Sequence, residues 1–442
     1  MRLRLLSRGS DLARLQAGIV EQALLTRRPD LSIERLTRSS LGDRDKRIEL
    51  WQSTDKGVFT TDLSEALVAR AADIVVHSWK DLPIAGFAGT VVGGTLERAD
   101  PRDVLLVRRE VLESRPTTLL VLTSSPRRTW QLERSVASLL PWHVSAITPK
   151  SVRGNIPTRL ERLLAGPEHA LVVAKAALDR LLSPAADADV RDNVRAALDR
   201  TVWMVLPISE FPTAPAQGAL ALEVAADRTD LRDLLESISD EPTRRAVEAE
   251  RAILSEYGGG CHEAIGATVL IRDYGHVTSV RGRVASGEEF SRWSLDSSRP
   301  VPPPAAPDAI WPRPEERNRA TRRALDVAVP SDGRGWWVAR AESVPARLAP
   351  TASQIVWAAG MRTWRRLAAR VVGPRRVRRR RQVVISRARH AEGLEDFASH
   401  EGVEAFAGDL FDEQLEQQVP ATGVSKLRPR LDSNGDGTGR EP

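Results

Sequence analysis

Residues 74–83 read Ile-Val-Val-His-Ser-Trp-Lys-Asp-Leu-Pro, and this stretch decides the fold class. Its first four residues form a short run that is typical of a buried strand, and polar residues follow at once. Comparable apolar runs occur at 3–6, 118–122 and 170–174, and the stretches between them carry apolar positions at the 3.6-residue period of a helix. Strands that alternate with helices predict an α/β fold with mostly parallel, doubly wound sheets.

Helix-start residues precede several of the amphipathic stretches. Ser10 is expected to cap the first helix, Thr60 or Thr61 the second, and Asn155 a later one. A long helix is expected from Pro242 onward, and it ends where three consecutive glycines interrupt the pattern.

The chain's sole cysteine, Cys261, directly follows those three glycines. A lone sulfur cannot form an internal disulfide and is by itself a poor metal site, so no metal centre is predicted. One interpretation is an inert thiol after a helix end. The other is a nucleophile or covalent attachment point, because the glycines leave room for a bulky group beside the sulfur.

The composition limits the class of protein. The chain has 442 residues, which is enough for roughly three domains. No apolar stretch approaches the roughly 20 residues of a membrane span, and the apolar start is too short for a signal peptide. A single cysteine suits a reducing compartment. We therefore expect a cytoplasmic protein without a membrane partner.

The basic charge of the chain is concentrated near one end. The formal net charge is +6, and the six arginines within 375–381 equal that excess. The main body is therefore not predicted to bind nucleic acid. A proline-rich linker at 300–304 leads to an extension rich in Trp and Arg, and the tail from about Val424 is predicted to be disordered.

Basic and hydroxyl side chains recur where predicted strands end and predicted helices begin. In an open α/β sheet the carboxyl ends of the strands line the ligand crevice, and helix N-termini attract anions. Because arginine binds carboxylates through two parallel hydrogen bonds, these positions predict a cleft for a small carboxylated polyanion. The cleft residues are Arg8, Ser78, Lys80, Thr123, Ser124, Ser125, Arg127, Arg128, Arg153 and Arg159.

Asp81 is the carboxylate that lies among these cations. One interpretation is a salt bridge to Lys80 or to an arginine. The other is a functional group that accepts a proton or balances a transient positive charge in the basic cleft.

The chain resembles the porphobilinogen deaminase (hydroxymethylbilane synthase) family over about residues 1–297. Seven motifs occur in the family's order, and this order makes the resemblance specific. They are Ser7-Arg8-Gly9-Ser10-Asp11-Leu12-Ala13, Lys56-Gly57-Val58-Phe59, His77-Ser78-Trp79-Lys80-Asp81-Leu82-Pro83, Thr123-Ser124-Ser125-Pro126-Arg127-Arg128, Arg153-Gly154-Asn155-Ile156-Pro157-Thr158-Arg159-Leu160, Ala214-Pro215-Ala216-Gln217-Gly218-Ala219-Leu220 and Gly259-Gly260-Cys261.

The resemblance implies two lobes like those of periplasmic binding proteins, a smaller α/β domain that bears the cysteine, and a C-terminal extension. We expect the first lobe at 1–100 and 203–223, the second at 101–202, the cofactor-attachment domain at 224–297 and the extension at 298–442. Family members carry a dipyrromethane cofactor as a thioether on the cysteine. They add four porphobilinogen units to it with loss of ammonia, and then release the linear tetrapyrrole by hydrolysis.

The resemblance also implies roles for individual residues. Asp81, Lys80 and Lys56 are the expected catalytic residues, with Lys56 on a loop that closes the cleft. The expected substrate contacts are Arg8, Arg153, Arg159 and Gln217. The expected cofactor contacts are Cys261, Arg127, Arg128, Ser78, Thr123, Ser124, Ser125, Asp81 and Lys80. Since this chemistry needs no second copy, a monomer is expected.

Several positions depart from the family pattern. Leu122 and Ala216 stand where glycines are expected, and the residues after Cys261 also differ. The chemistry-bearing side chains are all present, so activity is expected. The alternative is a non-catalytic protein that binds a tetrapyrrole or another carboxylated ligand.

The extension has two interpretations. One is a fused piece related to uroporphyrinogen III synthase, the next pathway enzyme and a candidate recipient of the product, because Gln354–Trp357 and Val383–Arg387 are strand-like. The other is a poorly folded extension whose arginines form a solvated charge block.

Overall fold

The computed structural model describes residues 1–38, 60–258, 264–284 and 286–298 and, further on, 335–338, 340–344, 355–358, 363, 366–367, 384–387, 406–407 and 424–427. Lys56 and Cys261 lie outside these residues. The chain divides into two compact units, Met1–Ser298 and Arg299–Pro442. In the described part, no helix has both the length and the apolar character that a bilayer crossing requires.

The secondary structure alternates strands and helices through most of the first unit. The strands are β1 Arg2–Arg8, β2 Ser32–Arg38, β3 Ile74–Ser78, β4 Thr90–Gly94, β5 Asp103–Arg108, β6 Thr118–Leu122, β7 Ala146–Lys150, β8 Ala170–Ala174, β9 Thr201–Val205, β10 Leu220–Ala225, β11 Gly266–Arg272, β12 Gly275–Arg283, β13 Glu289–Ser297, β14 Gly335–Val338, β15 Ile355–Ala358, β16 Val384–Arg387, β17 Phe406–Ala407 and β18 Val424–Leu427. The α-helices are α1 Asp11–Arg27, α2 Thr61–Val68, α3 Val111–Ser114, α4 Pro126–Gln131, α5 Ala137–Leu139, α6 Ile156–Ala165, α7 Lys175–Leu182, α8 Ala188–Asp199, α9 Thr229–Glu236 and α10 Glu241–Glu256. Short helical turns occupy Trp79–Asp81, Leu132–Val136 and Ala341–Ser343.

Side-chain caps explain where several helices begin. The Ser10 hydroxyl accepts a hydrogen bond from the Ala13 N–H at 3.3 Å, and the Asn155 side chain accepts one from the Thr158 N–H at 3.0 Å. Both predicted caps are confirmed. Thr60 occupies the N-cap position of α2, but its side chain makes no capping hydrogen bond.

The first lobe is built on a five-stranded mixed sheet with the order β2-β1-β3-β10-β4. β1 pairs in parallel with β2 and β3, whereas β10 is antiparallel to β3 and β4. Helices α1 and α9 cover it, and Leu24, Leu231 and Leu235 are completely buried there. The carboxyl ends of β1 and β3 therefore lie side by side at one edge of the sheet.

The second lobe has a mixed sheet whose strands from this unit run in the order β9-β5-β8-β6-β7. β6 is parallel to β7 and β8, and β5 is antiparallel to β8 and β9. All five residues of β8 are buried, as expected for a central strand. The sequence predicts mostly parallel sheets; the structure places antiparallel strands in both lobes, because the chain crosses twice between them.

A third, smaller part of the first unit combines α10 with the antiparallel sheet β11-β12-β13. Val247 of α10 is completely buried against Trp79 and neighbouring residues of the first lobe. This arrangement of one helix and three strands follows the expected small α/β domain.

The strand pairing differs from the expected domain boundaries at two points. β9 pairs with β5 of the second lobe, so the boundary expected at residue 203 falls inside a strand. Leu231 and Leu235 of α9 belong to the core of the first lobe, although 224–297 is expected to form the cofactor-attachment domain. In both cases apolar side chains pack on the sheet that buries them, regardless of the boundary inferred from motifs.

The second unit contains a parallel sheet with the order β16-β15-β14-β18. β15 and β16 coincide with the strand-like runs at 354–357 and 383–387. β18 pairs with β14 over Val424–Leu427, so the tail predicted to be disordered from about residue 424 begins with a strand. Paired backbone groups there satisfy their hydrogen bonds within a sheet.

Candidate functional site

The turn after β3 presents Lys80 and Asp81. Buried Trp79 anchors this turn, and its N–H donates to the carbonyl oxygen of Ala219 at 3.0 Å. From α10, the Arg251 guanidinium donates to the carbonyl oxygens of Leu82 and Pro83 at 3.0 and 2.7 Å. The backbone around Asp81 is therefore held by two other parts of the fold, while the Asp81 side chain remains exposed.

A small cavity of about 90 Å³ lies at the adjacent carboxyl ends of β1 and β3. Arg8, Ser78 and Asp81 all line it, so the structure brings together three of the predicted site residues. Gln16 of α1 also lines it and donates from its amide to the Ser78 hydroxyl at 3.1 Å. A cation, a hydroxyl and a carboxylate thus share one recess at the predicted edge of the first sheet.

The hydroxyl residues after β6 organise the start of α4. Ser125 is the N-cap of α4 and accepts from the Arg128 N–H at 3.4 Å. Ser124 accepts from the Val152 N–H at 2.9 Å and so joins this turn to the loop after β7. Thr123 is buried, and its N–H donates to the Lys150 carbonyl oxygen at 2.8 Å. These contacts orient the helix that carries the arginine pair.

Arg127 and Arg128 share one buried carboxylate, that of Asp103. Arg127 Nη2 donates to Asp103 Oδ2 at 2.8 Å, and Arg128 Nη2 donates to Asp103 Oδ1 at 2.6 Å. Burial would raise the pKa of Asp103, but the charges of Arg128 and Arg127 hold it well below its usual range. Burial also lowers the pKa of Arg127, and Asp103 opposes that effect.

The rest of each guanidinium is only partly used. Arg127 Nη1 donates to the Pro212 carbonyl oxygen at 2.9 Å, and Arg128 Nη1 donates to that of Val172 at 3.1 Å. Within the described part of the chain, the buried Nε–H of each arginine has no hydrogen-bond partner. A buried donor without a partner is costly, so neither guanidinium has all its hydrogen bonds satisfied by the described protein groups.

The Gln217 side chain forms hydrogen bonds with residues of both lobes. Its Nε2 donates to Asp103 Oδ1 at 2.8 Å and to the Pro101 carbonyl oxygen at 2.7 Å, and its Oε1 accepts from Lys80 Nζ at 3.2 Å. The side chain is only 1% exposed. Gln217 is a predicted substrate contact, and in this structure both ends of its amide hydrogen-bond to protein groups.

Lys80 is the cation whose ionisation is most perturbed in the first lobe's part of the site. Burial lowers its pKa to about 8, and the positive charge of Arg128 acts in the same direction, whereas Asp81 and Asp103 partly oppose it. Arg127 also lowers the pKa of Lys80. Among the lysines of the cleft that the structure describes, Lys80 is therefore the one that changes protonation near neutral pH.

Arg159 and Arg153 lie at the start of α6 in the second lobe. Arg159 Nε donates to the Gly154 carbonyl oxygen at 2.8 Å. Burial lowers the pKa of Arg159 to about 10, and the positive charge of Arg128 is the second cause. Arg159 therefore lies close enough to Arg128 for their charges to interact. Arg153 is exposed. The arginines of the second lobe thus differ in exposure: Arg127 and Arg128 are buried, Arg159 is half-buried and Arg153 is exposed.

Sequence reasoning did not identify Asp103, the residue on which the arginine pair converges. A local signal was present, because Asp103 directly precedes the apolar run 104–107, and a carboxylate at the head of a buried strand needs a counter-charge. Its partners lie 24, 25 and 114 residues away. Neither Lys56 nor Cys261 can be placed, since both fall outside the residues that the structure describes.

Comparisons with known proteins identify similar sequences and one family model. The family model described as porphobilinogen deaminase, dipyromethane cofactor binding domain, matches residues 3–233, just over half of the chain. Porphobilinogen deaminase of Desulforudis audaxviator is 37% identical over 270 residues, which cover 60% of this chain and 79% of that protein. Porphobilinogen deaminase of Synechococcus elongatus is 36% identical, with coverage of 64% and 82%. A methionine-binding protein, MetQ, matches with a TM-score of 0.29 and 10% identity over 58% of this chain and 96% of that one.

Proposed function

The chain belongs to the porphobilinogen deaminase family, and from this premise we propose how its residues divide the work of the reaction. It is a transferase, a hydroxymethylbilane synthase, which joins four porphobilinogen molecules head to tail with release of ammonia. It uses a dipyrromethane cofactor. When bound, this group supplies the pyrrole carbon to which the first unit is joined.

The cationic residues of the second lobe fit a carboxylated oligopyrrole. Each pyrrole unit carries an acetate and a propionate group, so the ligand is a polyanion. Arg127 and Arg128 each retain a buried Nε–H without a partner among the described residues. Ser125 fixes the start of the helix that carries them. We assign the pair, with Thr123 and Ser124 beside it, to the cofactor's carboxylates.

Arg8, Arg153 and Arg159 are assigned to the carboxylates of incoming and added substrate units. Arg8 lines the recess that also contains Asp81. The positive charge of Arg128 lowers the pKa of Arg159, so these two arginines lie close enough to interact electrostatically. The cations therefore extend from the first lobe to the second, as a lengthening polyanion requires. Arginine forks bind carboxylates at fixed geometry, so they orient the substrate as well as neutralise it.

Asp81 is the proposed catalytic carboxylate. It is exposed in a recess whose other charged member, Arg8, is a cation. When ammonia leaves porphobilinogen and a new carbon–carbon bond forms, positive charge develops on pyrrole nitrogen. A carboxylate held beside that nitrogen stabilises the charge, typically by a few kcal/mol. Lys80 is proposed to exchange a proton with the departing amine, and its ammonium pKa of about 8 supports this role.

Cys261 is proposed as the attachment point of the cofactor, and Lys56 as part of a loop that closes over the cleft. Both assignments depend on the motifs Gly259-Gly260-Cys261 and Lys56-Gly57-Val58-Phe59. We further propose that the reaction occurs in the cytoplasm and that the product passes to uroporphyrinogen III synthase. The support for these two points is the family's place in tetrapyrrole biosynthesis.

The observation that carries the proposal is the recess that Arg8, Ser78 and Asp81 share at the carboxyl ends of β1 and β3. Intact-mass spectrometry of the full chain, made in cells that supply porphobilinogen, tests it. The expected result is an adduct of two pyrrole units that is absent from Cys261→Ser. An unmodified wild-type protein that consumes no porphobilinogen would instead indicate a carboxylate-binding protein on the same scaffold.

A further inference from the structure

Asp103 lies at the centre of a hydrogen-bonded cluster with Arg127, Arg128, Gln217 and Lys80, which we call the polar floor. It is completely buried, and its two carboxylate oxygens accept from Arg127, Arg128 and Gln217. Three donors on two oxygens leave the carboxylate almost fully coordinated by protein. Asp103 therefore does not compete as a ligand for substrate, and its effect on the reaction is exerted through the residues it holds.

Without Asp103, the floor would contain positive charge with no buried counter-charge. Arg127 and Arg128 are 4% and 7% exposed, and both lower the pKa of Lys80. A guanidinium pair at this depth requires a carboxylate, because an unpaired buried charge is strongly unfavourable. One carboxylate for two guanidiniums leaves the trio with net positive charge, which suits a site that must still attract a carboxylated ligand.

Gln217 extends the influence of Asp103 to the other lobe. Its Nε2 is a donor to both Asp103 and the Pro101 carbonyl oxygen, so its Oε1 has to face Lys80. The Lys80 ammonium has three N–H groups, and Gln217 accepts one of them. Among the hydrogen bonds of the described residues, the other two N–H groups have no acceptor and can donate to a ligand carboxylate or to the leaving amine.

We propose that Asp103 is a positioning residue for the condensation reaction: it holds Arg127 and Arg128 directly, and Lys80 through Gln217, in the arrangement that receives the carboxylates of the growing chain. This inference rests on the proposed function. In this role the buried carboxylate of Asp103 links Arg127 and Arg128 of the second lobe to Lys80 of the first.

The chain offers a matched control for this role. The Asp73 carboxylate also forms ion pairs with two arginines, from Oδ2 to Arg4 Nε at 3.1 Å and from Oδ1 to Arg228 Nη1 at 3.3 Å. It lies at the amino-terminal end of β3, away from the cleft. Asp73→Asn therefore removes one carboxylate from a two-arginine cluster without touching the site. Any effect of Asp103→Asn that Asp73→Asn does not share belongs to the cleft rather than to the general loss of a charge.

The experiment compares full-length Asp103→Asn, Asp103→Glu and Asp73→Asn with wild type. One readout is kcat and KM for porphobilinogen. The other is the pH midpoint for labelling of Lys80 by an amine-reactive reagent, located by peptide mass spectrometry. The charges that act on this amine are Asp81, Arg128, Asp103 and Arg127, and Asp103 raises its pKa.

For Asp103→Asn we expect turnover to fall at least about tenfold and the Lys80 midpoint to move down by about half a pH unit or more. Asp103→Glu restores the midpoint because it restores the charge. Asp73→Asn changes turnover by less than about twofold and leaves the midpoint in place. Unchanged turnover and midpoint in a folded Asp103→Asn overturn the inference.

A second variant keeps the test decisive if Asp103→Asn does not fold. Gln217→Met leaves both arginine–Asp103 pairs in place and removes the amide contacts to Asp103, Pro101 and Lys80, so the connection from Asp103 to Lys80 is lost. It is expected to lower turnover about tenfold, and normal turnover in this variant contradicts the inference. If wild type itself forms no bilane, the proposed function fails; if wild type is active and these variants equal it, only the inference fails.

Discussion

The backbone N–H of Ala216 donates to Glu250 Oε2 at 2.7 Å, although Ala216 adopts a φ of 65°. Such a left-handed conformation is unfavourable for a residue with a Cβ atom, and family members are expected to have glycine here. The buried carboxylate of Glu250 thus stabilises a strained backbone next to Gln217. This contact joins the long helix α10 to the segment between β9 and β10, where the chain crosses from the second lobe to the first.

Glu250 is expected to be essential for stability. Its Oε1 accepts from Arg98 Nη1 and the Val269 N–H, and its Oε2 from Arg98 Nη2 and the Ala216 N–H, at 2.7 to 2.9 Å. Glu250→Gln places an amide N–H against one of these donors and leaves Arg98 without its counter-charge. The free energy of unfolding should fall by about 3–5 kcal/mol in urea denaturation.

The control for this prediction is Glu248→Gln, an exposed position on the same helix. It should change the free energy of unfolding by no more than about 0.5 kcal/mol. Equal stability of the two variants would show that the Glu250 network is not stabilising.

The crossover should respond differently to changes at Ala216 and Gly218. Gly218 has a φ of 92°. An added Cβ would lie 2.4 Å from the carbonyl oxygen of Ala99, which belongs to the segment between β4 and β5 that also connects the lobes. Gly218→Ala should therefore destabilise the protein by at least about 2 kcal/mol. Ala216→Gly relieves strain but adds freedom to the unfolded chain, so its net effect should stay within about 1 kcal/mol. Thermal and urea unfolding of both variants provide the measurement, and the reverse order of effects would refute the assignment.

Asp81→Asn should retain the covalent adduct but lose turnover. The neutral amide has nearly the same shape but cannot balance the positive charge on pyrrole nitrogen, so kcat should drop about 100-fold or more. Stopped bilane-formation assays give the rate, and intact mass gives the adduct. Asp230→Asn, an exposed carboxylate of α9 that pairs with Arg228, is the matched control and should be fully active. Full turnover by Asp81→Asn would remove this residue from its proposed role.

Stability should depend on the protonation of Lys80 with a definite sign. The pKa of Lys80 is about 8 in the folded protein and near the ordinary value of 10.5 when unfolded. Between these pH values the unfolded chain binds more protons, so this residue makes the free energy of unfolding rise as pH increases from about 8 to 10.5. Lys80→Met should lack that part of the rise and should be more stable than wild type at pH 7.

Urea denaturation of wild type and Lys80→Met across this pH range measures the difference. Parallel stability curves for the two proteins would mean that the Lys80 ammonium is not desolvated in the fold. Since Lys80→Met also removes the proposed proton-exchanging amine, loss of bilane formation is expected in the same variant.

Much of the architecture could be predicted from local patterns. The runs at 3–6, 74–77, 118–122 and 170–174 are strands, and Ser10 and Asn155 cap helices as expected. Apolar periodicity and capping are properties of neighbouring residues, so they are visible in a sequence. The mixed direction of the sheets was not, because the pairing of β5 and β10 depends on where the chain crosses between the lobes.

The sequence by itself indicated the alternation of strands and helices, the family and the basic side chains that are proposed to bind a carboxylated ligand. Only the tertiary structure decided how those cations are arranged: Asp103 holds Arg127 and Arg128, and Gln217 lies buried between Asp103 and Lys80. The physical reason is that a buried charge must find its partner in space, and these partners are separated by up to 137 residues along the chain.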